Sequence, residues 1–129
     1  MIQKAAMGFG AVFVLIGLLG FVPALTPDGN LLGIFHVDAV HNLIHLASGV
    51  AALAAASSVR NSRLYFQIFG VVYSVVAVGG FLPFLQFGDD MKLLGLTHMN
   101  MADNLLHIAI AAGALYFGFV HKEGATAKA

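Results

Sequence analysis

The chain has no cysteine and very little charge. Only 9% of its 129 residues are Asp, Glu, Lys or Arg, whereas soluble proteins have roughly a quarter. The absence of cysteine excludes disulfide bonds, thiolate metal ligands and cysteine nucleophiles. The formal net charge is zero, so we expect no nucleic-acid partner, which would need a concentrated basic surface. Histidine, with six residues, is then the main candidate for a ligand to a metal or cofactor.

Hydrophobic residues make up 60% of the chain, which is typical of a protein that lies in a lipid bilayer. A helix of ~20 apolar residues crosses the hydrocarbon core. The sequence predicts an all-α integral membrane four-helix bundle that forms a single domain over residues 1–129. The predicted spans are residues 5–25, 39–59, 64–85 and 101–120, followed by a frayed polar tail at 121–129.

One polar motif occurs twice. Residues 33–45 read GIFHVDAVHNLIH, and residues 95–107 read GLTHMNMADNLLH. The odd-numbered spans also correspond, since Gly20 and Pro23 are matched by Gly80 and Pro83. We therefore predict two repeated helical hairpins, at about 5–59 and about 64–120. Because each hairpin crosses the membrane twice, the two would have the same orientation and form a parallel internal repeat.

Charge placement predicts the orientation. Five basic residues fall near the termini and in a polar turn at residues 57–63, and only Lys92 lies on the other side. By the positive-inside rule, both termini are cytoplasmic. The basic residues on the cytoplasmic side are Lys4, Arg60, Arg63, Lys122 and Lys128. The outer boundary then carries Asp28, Asp38, Asp89, Asp90 and Asp103, together with His36, His41 and His98.

The motif predicts which side chains lie inside the bundle. Asp38 and Asn100 are predicted N-caps of the second and fourth helices, because their side chains can accept from unpaired backbone N–H groups. His41 then lies near the wet interface, and His45 and His107 lie deeper. Residues at i and i+4 share a helix face, and each His face continues into small residues that allow close helix packing. Those residues are Gly49, Ala52 and Ala56 on one helix, and Ala111 and Ala114 on the other.

Four interpretations of this cluster remain open. In the structural one, Asn42, Asn104, His45 and His107 cross-link the helices, and Asp103 supports a helix N-terminus. In the second, His41, His45, Asp103 and His107 bind a divalent transition metal. In the third, His45 and His107 are the two axial ligands of haem b. In the fourth, the membrane-embedded ionisable groups handle protons or a solute.

The functional hypothesis from the residues is a non-enzymatic membrane protein whose His/Asn/Asp cluster fixes helix packing and offers a ligand site. Alternatives are a metal or haem protein in redox or metal handling, and an accessory subunit of a larger membrane complex. Glycine-rich helix faces would also suit a homo-oligomer. The lipid bilayer is the one partner that composition predicts directly.

Three phrases carry a family resemblance. Leu32-Gly33-Ile34-Phe35, residues 38–46 and residues 102–107 resemble the signature of a family of small bacterial four-span membrane proteins known only as a domain of unknown function. The similarity covers nearly the whole chain. It implies a four-helix architecture and a location in the bacterial inner membrane, and it assigns no reaction.

Overall fold

The computed structural model describes residues 1–88 and 91–124, and four α-helices make up most of it. Asp89, Asp90 and Lys128, which the sequence analysis placed in the outer loop and the tail, lie outside the described residues. The helices are α1 (Ile2–Leu19), α2 (Ala39–Ala55), α3 (Val59–Gly79) and α4 (Met101–Leu115). A π-helical turn, Tyr116–Val120, continues α4 to the predicted end of the last span.

Three of the four predicted spans have the length and apolarity that a membrane crossing needs: Ile2–Leu19, Val59–Gly79 and Met101–Val120. α2 is shorter, with 17 residues. The predicted end of the first span was wrong, because α1 stops at Leu19 and Pro23 begins a separate 3-10 turn. The predicted start of the third span was also wrong. Ser58 accepts from the N–H of Asn61 at 3.0 Å, so its cap places residues 59–63 inside α3.

The helices form two hairpins, because α1 packs mainly on α2 and α3 mainly on α4. Within the first hairpin the backbones approach so closely that a Cβ atom at Gly49 would lie 2.7 Å from the backbone N of Val14. An aromatic core joins the hairpins, with Phe9 edge-on against Phe66 at 5.0 Å and Phe13 edge-on against Phe69 at 5.4 Å. Large apolar side chains cover the outside of every helix, as expected of a surface that faces lipid.

The two loops that follow α1 and α3 define one end of the bundle, which we call the motif end (residues 20–38, 80–88 and 91–100). Each loop contains a short antiparallel β-hairpin that sequence analysis did not predict: β1 (Asn30–Leu31) pairs with β2 (Phe35–His36), and β3 (Gln86–Phe87) with β4 (Lys92–Leu93). A Leu-Gly pair with positive φ follows β1 and β4, at φ 54° and 72° in the first loop and 52° and 72° in the second. The backbone N–H of Leu32 donates to the Leu25 carbonyl in the first loop, and that of Leu94 donates to the Leu85 carbonyl in the second, both at 2.7 Å.

At the opposite end, which we call the terminal end, two charged side chains close helix termini. Arg63 donates to the carbonyl oxygens of Phe117 and His121, at 3.3 and 2.8 Å, and so satisfies the C-terminal end of the fourth span. Glu123 accepts from the amide of Ile2, the first residue of α1, and its pKa is lowered to about 2 by that hydrogen bond and by the ammonium group of Met1. The start of the predicted tail is therefore held by α1. Residues 125–129 lie outside the described residues.

Two buried asparagines pack against the glycines at which α1 and α3 end. Asn42 on α2 lies against Gly20, where an added Cβ would stand 1.9 Å from its Oδ1 atom. Asn104 on α4 lies against Gly80 in the same way, at 2.0 Å, and donates from Nδ2 to the Gly80 carbonyl at 3.0 Å. Glycine is required at both positions because its bare Cα leaves room for a buried amide.

We predict that Gly20→Ala and Gly80→Ala each lower the free energy of unfolding by about 2–3 kcal/mol, since the new methyl group must displace a buried asparagine. Far-UV circular dichroism during titration from a mild detergent into dodecyl sulfate measures this. Gly8→Ala is the matched control, because a Cβ there meets no heavy atom within 4 Å. Equal stability of all three variants would contradict the prediction.

Candidate functional site

The predicted N-caps are confirmed, and they determine the start of both polar helices. The Asp38 carboxylate accepts from the backbone N–H of His41 at 2.8 Å. Asn100 accepts from the N–H of Asp103 at 2.9 Å, and Asp103 accepts from the N–H of Asn100 at 2.9 Å, which forms a reciprocal capping box. Because each N-cap lies three residues before the corresponding residue, His41 or Asp103, these two residues occupy the same position in the first turn of α2 and α4.

The inward faces predicted for α2 and α4 are also confirmed. The buried residues of α2 are His41, Asn42, His45, Gly49 and Ala52, and those of α4 are Asp103, Asn104, His107, Ala111 and Ala114. The small residues Gly49, Ala52, Ala111 and Ala114 thus lie in the packed interior. Ala56, which was predicted on the same face as Gly49, is the C-cap of α2 and is only partly buried.

Three of the predicted ligands lie together in the interior. His41, His45 and His107 each offer a ring nitrogen, and these nitrogens all lie within 4.8 Å of one another. We call this group the histidine trio. The rings of His41 and His45 are 4.5 Å apart, and those of His41 and His107 are 5.8 Å apart. At 3% exposure, His41 is as buried as the other two, although the sequence placed it near the wet interface.

Asp103, the fourth predicted ligand, is not part of this group. Its carboxylate accepts from two backbone amides, that of Asn100 in its own cap and that of His36 in the other hairpin, at 3.2 Å. Asp103 is therefore a capping residue that also fastens the first loop to α4. These two hydrogen bonds agree with the structural interpretation of Asp103, in which its carboxylate supports a helix N-terminus.

Four ring nitrogens of the trio find no hydrogen-bond partner among the described residues: both nitrogens of His45 and the Nδ1 atoms of His41 and His107. A buried polar atom without a partner costs about 1–3 kcal/mol. Most buried polar groups in proteins are paired, so this concentration in one cluster needs an explanation. A bound ligand that accepts the nitrogen lone pairs would supply one.

Aromatic rings enclose the trio. Phe13 on α1 lies edge-on to His45 at 5.3 Å, and Tyr73 on α3 lies edge-on to His107 at 5.5 Å. Phe13 and Tyr73 also contact each other, at 5.8 Å. The trio is thus positioned by all four helices.

Two clefts reach the trio from the sides, and a smaller cavity of about 180 Å³ lies beneath the first loop. All three histidines and Asp103 line that cavity, together with apolar residues of α1, α4 and the first loop. The α2/α3 cleft has a volume of about 590 Å³ and is lined by His41, His45 and His107, with Ser48, Tyr65 and Tyr73 among its other residues. The α1/α4 cleft, of about 440 Å³, is lined by His45 and otherwise by apolar residues and Gly8. Both open onto the lipid-facing surface of the bundle.

The motif-end loops lock the two hairpins to each other. Thr97 donates from its hydroxyl to Asp38 at 2.6 Å, and Asn100 donates from Nδ2 to the Ile34 carbonyl at 2.8 Å. Burial raises the pKa of Asp38, but the hydrogen bonds from Thr97 and from the His41 amide outweigh it and leave the pKa lowered. Sequence analysis missed Thr97. The one available signal was that Thr97 replaces an aromatic residue, Phe35, in the other copy of the motif.

His36 and His98, predicted as boundary residues, meet between the loops with their ring centroids 4.8 Å apart. Burial and the nearby His98 lower the pKa of His36 from 6.5, against the opposing effect of Asp38. The His36 Nε2 atom lies 3.9 Å from the Asp38 carboxylate. These rings lie at the outer rim and do not belong to the trio.

Comparison with known proteins identifies the family. A family model described as a domain of unknown function, DUF4383, matches residues 3–120. The chain belongs to that family. No curated protein and no solved structure matches.

We predict that Thr97→Val lowers the free energy of unfolding by about 1–2 kcal/mol at pH 7, because it removes a hydrogen bond to a carboxylate. The pKa of Asp38 is lower in the folded chain, so its contribution to stability is present above pH 3.8 and is lost as pH falls through the folded pKa. The deficit of the variant should therefore narrow toward pH 3.

Unfolding titrations at pH 7 and pH 3 measure this deficit. Thr26→Val is the control, since the Thr26 hydroxyl donates only to backbone carbonyls of its own loop. A Thr97→Val deficit of the same size at both pH values would refute the role assigned to Asp38.

Proposed function

We propose that this member of the DUF4383 family is a non-enzymatic, metal-binding protein of the bacterial inner membrane. His41, His45 and His107 would together bind one divalent transition metal ion, such as zinc, iron(II) or copper. The observation that carries the proposal is the set of four buried, unpartnered ring nitrogens in one group of three histidines. Imidazole nitrogen is a common protein ligand for these metals.

The geometry is close to that of a metal site. A tetrahedral zinc ion with Zn–N bonds of about 2.0–2.1 Å holds its nitrogens roughly 3.3 Å apart. The trio nitrogens lie within 4.8 Å of one another, so binding would draw them inward by at most about 1.5 Å. Three protein ligands leave a fourth position open for another molecule. Asp103 is not among the proposed ligands, because two backbone amides hold its carboxylate and it does not lie at ligand distance from the three histidines.

A bare ion suits this site better than haem b. A haem places its flat macrocycle between two axial imidazoles. Here a third imidazole, His41, lies 4.5 Å from His45, and Phe13 lies edge-on to His45 at 5.3 Å. These rings occupy the space beside the two proposed axial ligands.

The proposed topology has four membrane-spanning helices, with α2 as the short one, and two hairpins related as a parallel internal repeat. The matching Gly20–Asn42 and Gly80–Asn104 contacts support the repeat. Arg60, Arg63 and Lys122 lie at the terminal end, which supports cytoplasmic termini. In that orientation the trio lies in the outer half of the bilayer.

We predict that the purified protein binds one Zn²⁺ per chain and that His41→Ala, His45→Ala and His107→Ala each weaken binding by more than a hundredfold. Changes to residues that merely orient a metal ligand already cost about 10–100-fold, and loss of a ligand should cost more. Equilibrium dialysis with elemental analysis measures the affinity. His121→Ala, at the terminal end, is the control and should bind normally; equal affinity in all variants would exclude the trio as the site.

A stability measurement separates metal binding from a purely structural role. In metal-free protein, we predict that His45→Leu changes the free energy of unfolding by less than about 1 kcal/mol, because both nitrogens of His45 lack partners. Zn²⁺ at a hundred times its Kd should stabilise the unsubstituted protein by about 2.7 kcal/mol and leave His45→Leu unchanged. A metal-free loss of 2 kcal/mol or more in His45→Leu, with no effect of Zn²⁺ on either protein, would favour the structural role.

A further inference from the structure

The two side clefts differ in their access to the histidine trio. All three histidines line the α2/α3 cleft, whereas only His45 lines the α1/α4 cleft. All three histidines also line a cavity of about 180 Å³ beneath the first loop. The α2/α3 cleft, of about 590 Å³, is the larger of these two spaces and so has more room for a ligand at the open fourth position of a bound ion. That cleft leads to the lipid-facing surface, because Ile68 and Val72 on its wall are 58% and 50% exposed.

The walls of the α2/α3 cleft suit an alkyl chain. Ile44, Ala47 and Ala51 on α2 face Ile68, Val72 and Val76 on α3 across it. Its polar groups away from the trio are largely engaged within the protein. The Tyr65 hydroxyl donates to the Ser48 carbonyl at 3.0 Å, and the Thr97 hydroxyl donates to Asp38 at 2.6 Å.

Charge identifies the head group that would occupy the open position. Three neutral imidazoles leave a divalent ion with a charge of +2, and an uncompensated charge in an apolar interior is costly. Of the described residues, no Asp or Glu lines the α2/α3 cleft. Asp103 is held by backbone amides, and Asp38 by Thr97 and the His41 amide. No Asp or Glu of the described residues joins the three histidines at ligand distance, although Asp103 lines a smaller cavity of about 180 Å³ with them. An anion bound directly to the ion therefore has to come from outside the protein.

We infer that the α2/α3 cleft binds a long-chain carboxylate from the bilayer. A carboxylate oxygen takes the open position on the ion, and the alkyl chain lies between α2 and α3. This inference rests on the proposed metal site and names the ligand class of that site. A bound hydroxide would also lower the charge, but it would leave the apolar cleft without a role.

Cobalt(II) is the probe, because its visible absorption reports ligand exchange at the metal. Protein in the neutral detergent dodecyl maltoside is loaded with Co²⁺ and titrated with laurate. We expect a saturable spectral change at one laurate per Co²⁺, with an apparent affinity at least about tenfold above that of acetate, a difference of about 1.4 kcal/mol. Methyl laurate, which has the same chain without the charge, should leave the spectrum unchanged.

Two matched variants place the chain in one cleft. Ala47→Phe narrows the α2/α3 cleft, and Val12→Phe narrows the α1/α4 cleft; both positions are exposed, so both variants should fold. Ala47→Phe should weaken laurate binding about tenfold or more and leave Co²⁺ affinity unchanged. Val12→Phe should alter neither.

The outcomes separate the two proposals. Failure of the unsubstituted protein to bind Co²⁺ overturns both the metal site and the cleft ligand. Binding of Co²⁺ that depends on the trio, with laurate and acetate acting alike or with Ala47→Phe binding laurate normally, overturns the cleft ligand alone. A spectrum that changes with pH and not with any carboxylate identifies hydroxide as the fourth ligand and also overturns it.

Discussion

The structure depends on one constraint: a polar group inside an apolar bundle has no water to pair with and must find its partner in the protein. Several helix ends satisfy this requirement. Glu123 accepts from the amide of Ile2 at the start of α1, and Arg63 donates to the last carbonyls of the fourth span. Asn104 reaches the Gly80 carbonyl where α3 ends. Seven buried side-chain atoms of the described residues have no partner, and four of them are ring nitrogens of the trio; the others are Oδ1 of Asn42 and of Asn104 and Nδ1 of His98.

The sequence predicted those features that depend on neighbours along one helix. Asp38 and Asn100 cap their helices, and the inward faces of α2 and α4 follow from residue spacings of three and four. Each of these features can be recognised within one short segment of the sequence. The ends of α1 and α3 were less predictable. α1 stops at Leu19, beside Gly20, where a buried asparagine from another helix packs, and only the packed structure brings the two together.

The same distinction separates the predicted and unpredicted parts of the site. His45 and His107 could be paired from the two copies of the motif. The exclusion of Asp103 could not be foreseen, because the amide of His36, from the other hairpin, holds its carboxylate. The sequence analysis predicted His41 near the wet interface because it lies close to the start of α2. The distance of a residue from the end of its own helix does not show whether side chains of other helices bury it. The His41 ring is 3% exposed because it turns toward His45 and His107.

The differences between the two copies of the motif make the two side clefts unequal. His41 in the first copy corresponds to Asp103 in the second, so one copy contributes two imidazoles and the other contributes one imidazole and a capping carboxylate. Thr97 corresponds to Phe35 in the motif, and Tyr73 corresponds to Phe13 in the odd-numbered helices. Thr97 and Tyr73 place hydroxyl groups beside the α2/α3 cleft, whereas the other hairpin has phenyl rings at the matching positions. A pair of identical hairpins would offer two equal clefts with equal access to the histidines. In this chain the two side clefts are unequal, because all three histidines line the α2/α3 cleft and of the trio only His45 lines the α1/α4 cleft. The smaller cavity beneath the first loop is lined by all three, so the asymmetry belongs to the lipid-facing clefts and not to the cluster as a whole.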